Sequence, residues 1–488
     1  MGPSAHPYVP EKGAFNMTAE ISRRNLLRTG AAGGLGIAIA GSVEAIAGPA
    51  AAQVVEAAGP DKGAGYGPVV KDPKGLLSLP KGFSYTIVAQ AGGTKLESGE
   101  PTPSDTDGTG FFRGPKGGGV LVNNHEIGGD EKYGVPALEG LTYDAGGRGG
   151  TTNIVVDKDG RRVREYVSLA GTVQNCAGGV TPWGTWLTCE ETEVKAGGAL
   201  KKDHGYVFDV DPFDNDLNQD PVPLKFLGRF SHEAVAVDPR TSIIYETEDA
   251  DEPNGLYFRW VPPKGFRPGK GALKRLALSE GGDTAGRLQA MKCTKGGRHI
   301  ADLSQATRPG TRYKVTWVDV PDRDAKTTSV RKQFTDEEVT RSRKLEGQWW
   351  ADGGAYFVAS YARHDDGSVN EHDGQVWFYD PESETVTLKT IFGVNPDPDK
   401  DTNYDGPDNI TVSPYGGIIL AEDGDGIQHL VGVTDRGTVY PLARNELNDS
   451  EFAGPVFSAD GKVLYVGIQS PGYVFAITGP WGGRGRRH

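Results

Sequence analysis

The amino-acid sequence predicts an all-β protein, a β-propeller of six blades. Its composition is the first observation, because 71 glycines and 32 prolines among 488 residues are typical of many short strands joined by tight turns. The second is a series of short strand patterns that end in Asp-Pro or Asp-Gly, such as GYVFDVDP, EAVAVDP and QVWFYDP. Such units recur about every 40–60 residues, which is the spacing expected of propeller blades.

The same patterns divide the chain into segments. Residues 1–52 form a predicted twin-arginine signal with an N-terminal lead, and residues 53–82 form a linker with a first strand. The propeller is predicted for residues 83–480, followed by a basic tail at residues 481–488. The strand pattern breaks at about residues 264–344, where charge is dense and the run TDEEVTRSRKLEG is helix-like. We therefore expect a partly helical insertion over one face of the propeller.

The N-terminus has the pattern of an export signal. Arg23 and Arg24 precede a Gly/Ala-rich apolar stretch that is too weakly hydrophobic for a transmembrane helix. An A-x-A cleavage site at residues 50–52 places the expected mature start near Gln53. We expect the twin-arginine export machinery as a partner and a periplasmic or secreted location. Stable membrane insertion is not expected, because no other stretch is long and apolar enough.

The charge balance argues against nucleic acid as a partner. The chain carries 65 acidic and 52 basic residues, a formal net charge of -13, whereas binding to phosphate backbones needs a basic surface. The three cysteines, Cys176, Cys189 and Cys293, are too few for a disulfide scaffold. Cys176 and Cys189 could pair in an oxidising compartment, and Cys176 would then be lost as a metal ligand.

Residues 174–191, QNCAGGVTPWGTWLTCEE, combine features that an ordinary strand and turn do not need. Cys176 lies in a Gly-rich turn, while Glu190 and Glu191 follow a short strand pattern. A thiolate binds metals, and carboxylates are the oxygen ligands that calcium and ferric iron favour. The stretch therefore predicts part of a polynuclear metal site. The alternative is a small buried thiol and two solvated glutamates.

Acidic residues collect at other predicted strand ends as well. They are Glu126, Glu233, Glu246, Glu248, Asp249, Glu346, Asp405, Asp408, Glu422 and Asp423, with Asn409 and the two histidines His125 and His232 beside them. In a propeller such strand ends converge on the central axis, where carboxylates without cations would repel one another. Convergence therefore predicts bound cations, and the two histidines could orient the carboxylates instead of binding metal.

These motifs resemble those of the PhoX-type alkaline phosphatases. The similarity rests on NNHE, the Cys-to-GluGlu stretch, GRFSHEA, LEGQWW and DGPDNITVSPYGGIILAEDG, and it runs from about Tyr85 to Ile477. The resemblance implies a six-bladed propeller with two Fe³⁺ and two to three Ca²⁺ ions bridged by an oxo group. It also implies hydrolysis of small phosphate monoesters, and we expect a monomer.

Site residues follow from the resemblance one by one. Cys176 resembles the iron-bound cysteine, and Glu346 resembles a metal-binding glutamate of an Arg-x-Glu-Gly block. Further iron or calcium ligands implied by matching motifs are Glu190, Glu191, Glu233, Asp408, Glu422 and Asp423. The chain departs from the family where Lys344 replaces an arginine thought to contact phosphate, and Arg343 could substitute. A lysine supplies a point charge without the bidentate fork of arginine.

Two other functions remain open from the residues alone. One is a calcium-dependent propeller hydrolase of another ester class, of the lactonase or phosphotriesterase type, which would not need a cysteine ligand. The other is a non-catalytic propeller stabilised by calcium. Iron content and the effect of Cys176→Ala distinguish these from the phosphatase.

Overall fold

The structure is a computed structural model in which almost every regular element is a β-strand. It describes residues 65–114, 117–129, 131–363, 371–400 and 403–482. The predicted signal at residues 1–52 lies outside the described residues, as do the first part of the predicted linker and most of the predicted basic tail. In the described part of the chain, no helix combines the length and the apolar character that crossing a membrane requires.

Three strands come first and pair with sheets formed later in the chain. They are β1 (Val69–Val70), β2 (Leu77–Pro80) and β3 (Ser84–Gln90). A four-stranded antiparallel sheet follows in simple chain order, with β4 (Thr106–Arg113), β5 (Gly119–His125), β6 (Gly149–Val156) and β7 (Arg162–Thr172). The next sheet has three strands, β8 (Asn175–Val180), β9 (Trp186–Glu190) and β10 (Val207–Val210).

The middle of the chain forms one ten-stranded sheet. Its first half contains β11 (His232–Val237), β12 (Ile244–Glu248), β13 (Tyr257–Val261), β14 (Arg287–Lys295), β15 (Arg298–Ile300) and β16 (Arg312–Asp319). Its second half contains β17 (Leu345–Ala351), β18 (Gly354–Ala359), β19 (Gln375–Asp380) and β20 (Thr385–Ile391). Strand β16 pairs with β14 on one side and β20 on the other, and so joins the two halves.

The last two sheets combine both ends of the chain. One contains β21 (Pro407–Val412), β22 (Ile418–Glu422), β23 (His429–Val433) and β24 (Val439–Asn445), and β2 and β1 extend it beyond β24. The other contains β25 (Phe452–Phe457), β26 (Val463–Ile468) and β27 (Tyr473–Thr478), and β3 pairs with β27. Because β3 precedes β4 by few residues, this pairing closes the molecule between its first and last sheets.

The tight turns use the Asp-Pro and Asp-Gly sequences in the way that the sequence predicts. After β11, the Asp238 carboxylate accepts a hydrogen bond from the Arg240 backbone N–H at 2.8 Å, and the chain returns as β12. After β19, Asp380 accepts from the Glu382 N–H at 2.9 Å in the same manner. An aspartate that bonds the backbone two residues on stabilises a turn locally, so antiparallel neighbours follow one another along the chain.

Six strands, which we call the inner strands, contact one another in a closed ring. In ring order they are β4, β8, β11, β17, β21 and β25, and β25 contacts β4 again. The narrow space that they enclose is lined by Gly108, Ala177, Gly178, Ala234, Gly347 and Gly454, among others. The arrangement is propeller-like, because the innermost strands of a propeller surround its axis. Hydrogen bonding defines five sheets, so the six blades stay a prediction at this point.

The expected helical insertion at residues 264–344 is not a separate layer. This segment supplies β14, β15 and β16 to the ten-stranded sheet. Regular helices in the described chain are short: Asn215–Asn218 and Ala272–Ala277, with 3₁₀ turns at Lys225–Leu227, Gly282–Thr284, Leu303–Gln305, Val330–Gln333 and Pro398–Lys400.

The run TDEEVTRSRKLEG forms turns and the start of β17 instead of a helix. Its backbone N–H groups find partners in neighbouring strands and loops. Thr340 donates to the Met291 carbonyl at 2.9 Å, and Arg341 donates to the Ala301 carbonyl at 2.8 Å. Tertiary hydrogen bonding therefore overrides the local helical propensity of this run.

Candidate metal centre

Every inner strand carries a β-bulge, at which two of its residues face a single residue of the partner strand. In five of the six strands, the first residue of the bulge has a metal-binding side chain. These residues, at what we call the bulge position, are Asp107, Cys176, Glu233, Glu346 and Asp408. A bulge bends its strand and re-aims the side chain, so five distant parts of the sequence direct donors to one place.

The sixth inner strand, β25, has Gly454 at the bulge position. A Cβ atom at Gly454 would lie 2.4 Å from the Asp107 carbonyl oxygen, so the close approach of the two strands leaves no room for a side chain. The carboxylate on this side comes from Glu451, the residue just before β25.

A second set of side chains comes from the strands that pair with the inner strands. In five strand pairs the ladder ends one residue before the bulge, at Thr106–His125, Asn175–Glu190, His232–Glu248, Leu345–Ala359 and Pro407–Glu422. The next residue lies beside the bulge donors, and we call its place the strand-end position. The residues there are Glu126, Glu191, Asp249, Ser360 and Asp423.

Nine of these side chains form four overlapping groups of potential ligands. The groups are Asp107, Glu126 and Cys176; Cys176, Glu191 and Glu233; Glu233, Glu346 and Asp408; and Asp408, Asp423 and Glu451. Within each group, one ligand atom per residue lies within 4.8 Å of the others. Cys176, Glu233 and Asp408 each belong to two groups, so the nine side chains form one continuous donor cluster.

The thiol of Cys176 lies among carboxylates. Its Sγ atom is 3.1 Å from Glu233 Oε1 and 3.9 Å from Asp107 Oδ2. Burial raises the pKa of Cys176 well above its usual value, and the negative charges of Asp107 and Glu233 raise it further. Burial also raises the pKa of Glu451, as do the neighbouring carboxylates of Asp423 and Asp408. The cluster is therefore arranged in a way that cations would stabilise.

Small residues beside the donors allow the inner strands to approach. A Cβ atom on Gly108 would lie 2.6 Å from Ala177 Cα, and one on Gly347 would lie 2.8 Å from Asn409 Cα. Alanine follows the donors of the two other strands, at Ala177 and Ala234. A metal-binding residue followed by glycine or alanine at the start of a strand is thus the local sequence signal of this site.

The structure brings six of the eight predicted ligands into the donor cluster and leaves two outside. The six are Cys176, Glu191, Glu233, Glu346, Asp408 and Asp423. Glu190 and Glu422 do not belong to the four groups.

Glu190 binds the protein itself. Its Oε1 atom lies 2.6 Å from His204 Nδ1 and accepts a hydrogen bond from the Val173 N–H at 2.9 Å. Its Oε2 atom accepts from the N–H groups of Gly205 and Tyr206, at 2.9 and 3.1 Å. Four contacts to a fully buried carboxylate fix the loop before β8 and the segment before β10 around it.

Glu422 has the same kind of surroundings in another sheet. Its Oε2 atom lies 2.8 Å from His429 Nδ1, and its Oε1 atom accepts a hydrogen bond from the Asp405 N–H at 2.9 Å. Burial raises the pKa of Glu422, and the charge and hydrogen bond of His429 act in the opposite direction. Glu190 and Glu422 therefore orient the backbone from which Glu191 and Asp423 reach the cluster.

Three members of the donor cluster are absent from the predicted ligand set. Glu126 stands among the acidic strand ends of the sequence, but Asp107 and Glu451 lack the strand-then-acid pattern. Asp107 is followed by Gly108, and this pair has the signal described above. Gln469 connects two of these carboxylates, since its Nε2 atom donates to Glu126 Oε2 at 2.6 Å and to Asp107 Oδ2 at 3.2 Å.

The two predicted phosphate-binding residues lie just before β17. Lys344 has a φ angle of 44°, and its Nζ atom lies 3.1 Å from Asp249 Oδ2. Arg343 is partly exposed, and its positive charge acts with burial to lower the pKa of His372. Lys344 is therefore directed toward the strand-end position of β12, and Arg343 toward the segment around His372.

The two histidines next to donors are structural. His125 Nδ1 lies 2.8 Å from the Ser104 carbonyl oxygen, and its Nε2 lies 2.9 Å from Thr152 Oγ1. His232 stacks on Phe230, with 3.6 Å between ring centroids. Burial lowers the pKa of His125 to about 4 and that of His232 to about 3, so both rings are neutral.

All three cysteines are free thiols in the structure. Cys189 lies within β9 and packs in an apolar cluster with residues such as Leu187 and Val207. Cys176, in contrast, lies in the donor cluster. The alternative of a disulfide between Cys176 and Cys189 is therefore not the arrangement found here.

Comparisons with known proteins agree with this geometry. The model of the family described as "Alkaline phosphatase PhoX" matches residues 64–472. A structure of Pseudomonas fluorescens PhoX in complex with vanadate, a transition-state analogue, has 20% sequence identity and a TM-score of 0.61. That likeness covers 86% of this chain and 99% of the other.

Other solved structures are less similar. The PQQ domain of a pyranose dehydrogenase from Coprinopsis cinerea has 11% identity and a TM-score of 0.38, over 84% of this chain and 98% of the other. A gluconolactonase from Xanthomonas campestris has 13% identity and a TM-score of 0.36, over 80% and 99%. No curated protein sequence matches the chain.

The family model covers most of the 488 residues and includes every residue of the donor cluster. The sequence motifs, the bulge donors and the strand-end acids all lie within the matched region. The chain therefore belongs to the alkaline phosphatase PhoX family, and it is a hydrolase, a phosphatase.

Proposed function

We propose that the protein hydrolyses small phosphate monoesters at a cluster of two Fe³⁺ and two to three Ca²⁺ ions held by the donor cluster. The observation that carries this proposal is the convergence of eight carboxylates and one thiol from six sheet regions. Most of these side chains are buried. So many anionic groups in a buried place are stable together only with multivalent cations.

The donor types fit both metals. Cys176 supplies a sulfur ligand, which suits iron better than calcium. The carboxylates of Asp107, Glu126, Glu191 and Glu233 suit ferric iron and calcium, and so do those of Glu346, Asp408, Asp423 and Glu451. When bound, these cations would supply Lewis-acid chemistry toward phosphate oxygens.

The chain's own groups have two tasks in the reaction. The donor side chains must be deprotonated to hold the cations, which favours the reaction in alkaline solution because burial raises the pKa of Cys176. Lys344 and Arg343 are proposed to bind the transferred phosphoryl group and to offset the negative charge that grows on its oxygens. Both lie in the two residues before β17, whose bulge carries Glu346.

We also propose that the fold has six blades. The closed ring of six inner strands supports this count, and so does the bulge that recurs in each of them. On this interpretation the ten-stranded sheet contains two blades, starting at β11 and β17, which the edge strand β16 joins. Six strand ends around one axis account for the size of the donor cluster.

Export and monomeric state remain proposals as well. The pair Arg23-Arg24 supports export through the twin-arginine machinery to the periplasm or the exterior, and it lies outside the described residues. The net charge of -13 supports the absence of nucleic acid among the partners.

Substrate class is tested with the exported, metal-loaded protein. Turnover is measured on p-nitrophenyl phosphate, bis(p-nitrophenyl) phosphate, paraoxon and gluconolactone, with vanadate as an inhibitor. We expect the monoester to react with the highest kcat/KM and vanadate to inhibit it. Faster turnover of the diester, the triester or the lactone would contradict the proposal.

A further inference from the structure

We propose that Asp249 is a positioning residue for Lys344: it holds the Lys344 ammonium group at the edge of the donor cluster, where a phosphate oxygen binds. The inference rests on the proposed function, because it assigns Lys344 to phosphate. It goes further by giving a role to an acidic residue outside the four ligand groups.

Asp249 occupies a position that elsewhere supplies metal ligands. It follows β12, whose last residue Glu248 pairs with His232 directly before the bulge of β11. Glu191 and Asp423 follow β9 and β22 in the same register, and both belong to the donor cluster. The equivalent backbone position directs Asp249 toward the same region, but its carboxylate contacts an ammonium group, with Oδ2 3.1 Å from Lys344 Nζ.

The backbone that carries Asp249 is anchored. Glu248 Oε2 accepts a hydrogen bond from the Leu256 N–H at 3.1 Å, and its Oε1 lies 3.3 Å from Arg331 Nη1. The Ser342 N–H donates to the Gly255 carbonyl at 3.1 Å, which joins the turn after Asp249 to the segment before Lys344. Two fixed backbones therefore meet at the ion pair.

The backbone of Lys344 has a conformation that recurs around the ring. The residue two positions before the bulge donor has a φ angle of 44° at Asp105, 51° at Gln174, 44° at Lys344 and 44° at Gly406. The Lys344 carbonyl accepts a hydrogen bond from the Ser360 N–H at 2.9 Å. The main chain at Lys344 is therefore set by the architecture of the blade.

The side chain of Lys344 needs a separate anchor, because a four-carbon stem has large rotamer freedom. The Asp249 carboxylate is 6% exposed and the Lys344 side chain 23% exposed, so their ion pair is only partly screened by solvent. An ammonium group carries three donors and can bind a carboxylate and a phosphate oxygen at once. Asp249 thus directs a flexible point charge to a fixed place and lowers the entropic cost of using it.

A double-mutant cycle tests this role. The variants Asp249→Asn, Lys344→Ala and their combination are compared with the wild type in kcat/KM for p-nitrophenyl phosphate, with metal content measured for each. We expect Asp249→Asn to lower kcat/KM about tenfold in the wild type and less than about twofold in the Lys344→Ala background. Metal content should stay unchanged. Asp251→Asn, at an exposed acid two residues away, is the matched control and should have no effect.

A second readout does not depend on catalysis. The rate at which an amine-acetylating reagent modifies Lys344 is followed by peptide mass spectrometry, with Lys225 as a reference, since Lys225 pairs with an exposed aspartate, Asp283, at 3.4 Å. We expect Asp249→Asn to increase the rate at Lys344 several-fold and to leave Lys225 unchanged.

The outcomes separate this inference from the proposed function. A tenfold loss that recurs in the Lys344→Ala background would mean that Asp249 acts independently of Lys344, and it would overturn the inference alone. An unchanged acetylation rate would do the same. If Lys344→Ala itself left kcat/KM unchanged, the proposed phosphate-binding role of Lys344 would fall and the inference with it.

Discussion

The ends of β9 and β12 carry the same pattern of two adjacent acids and use it differently. At β9, Glu190 binds His204 and three backbone N–H groups, while Glu191 joins the donor cluster. At β12, Glu248 binds Arg331 and a backbone N–H, while Asp249 pairs with Lys344. In each pair the first acid secures the backbone and the second faces the functional region.

The difference lies in the partner of the second acid. Glu191 lies near the thiol of Cys176 and the carboxylate of Glu233, which have no positive charge to offer. Asp249 lies near an ammonium group. One backbone position can thus supply a metal ligand or hold a phosphate-binding cation, and the side chain opposite it decides which.

Removal of the Glu191 charge tests the functional half of the first pair and should have the largest effect. We expect Glu191→Gln to lower kcat/KM by about two to three orders of magnitude, because a lost ligand removes stabilisation of the transition state. Glu190→Gln is the matched control, and it should retain the full metal complement at saturating metal. Equal metal loss in both variants would erase the distinction between the two glutamates.

The same two variants should have opposite effects on the stability of the metal-free protein. Glu190→Gln should lower the free energy of unfolding by about 3 kcal/mol, because buried His204 and the backbone donors lose a charged partner. Glu191→Gln should leave stability unchanged or raise it, because it relieves repulsion among the donors. Chemical denaturation without metals measures both values. A larger loss in Glu191→Gln than in Glu190→Gln would contradict the assignment.

The close approach of the inner strands is the condition that brings both strand ends to one axis. In Gly347→Ala, the new Cβ would lie 2.8 Å from Asn409 Cα and 2.9 Å from the Asp408 carbonyl oxygen. We expect a loss of about 1–3 kcal/mol in the free energy of unfolding, as overpacking causes elsewhere. Gly129→Ala is the control, because no atom lies within 4 Å of its Cβ position. Equal effects of the two changes would mean that the strands can separate at little cost.

The anchor at the end of β9 should also depend on pH, with the smallest effect. Burial acts to lower the pKa of His204, but the hydrogen bond and charge of Glu190 and the charge of Asp144 outweigh it and raise the pKa. A raised folded-state pKa gives stability that is fully present below the unfolded value and is lost as the pH rises through the folded value. We therefore expect the wild type to lose more stability than His204→Gln between about pH 6 and pH 9, as measured by thermal unfolding. Parallel curves would exclude a charged His204.

The acidic strand ends were predictable from the sequence, but which acid of a pair reaches the cluster was not. Both members of Glu190-Glu191 and of Glu422-Asp423 are predicted ligands, and only the second of each belongs to the donor cluster. Side chains on a strand alternate between its two sides, so adjacent acids cannot share one site. The histidine partners of the first acids, His204 and His429, lie 14 and 7 residues farther along the chain.

The rest of the site depends on pairing that a single sequence does not specify. Asp107 is a donor because β4 bulges between Thr106 and Thr109, and register shifts of this kind depend on the partner strand. Glu451 is a donor because Gly454 leaves the bulge position of β25 without a side chain. The family resemblance and the all-β, propeller-like fold were predicted correctly, whereas the helix in TDEEVTRSRKLEG was wrong because neighbouring strands take its hydrogen bonds.

The central claim is that the bulge donors hold iron together with calcium, and elemental analysis of the exported protein tests it most directly. The account predicts two iron and two to three calcium ions per chain in the wild type, with iron lost in Cys176→Ala and retained in Cys189→Ala. Calcium without iron in the wild type, or iron that survives Cys176→Ala at full occupancy, would contradict it.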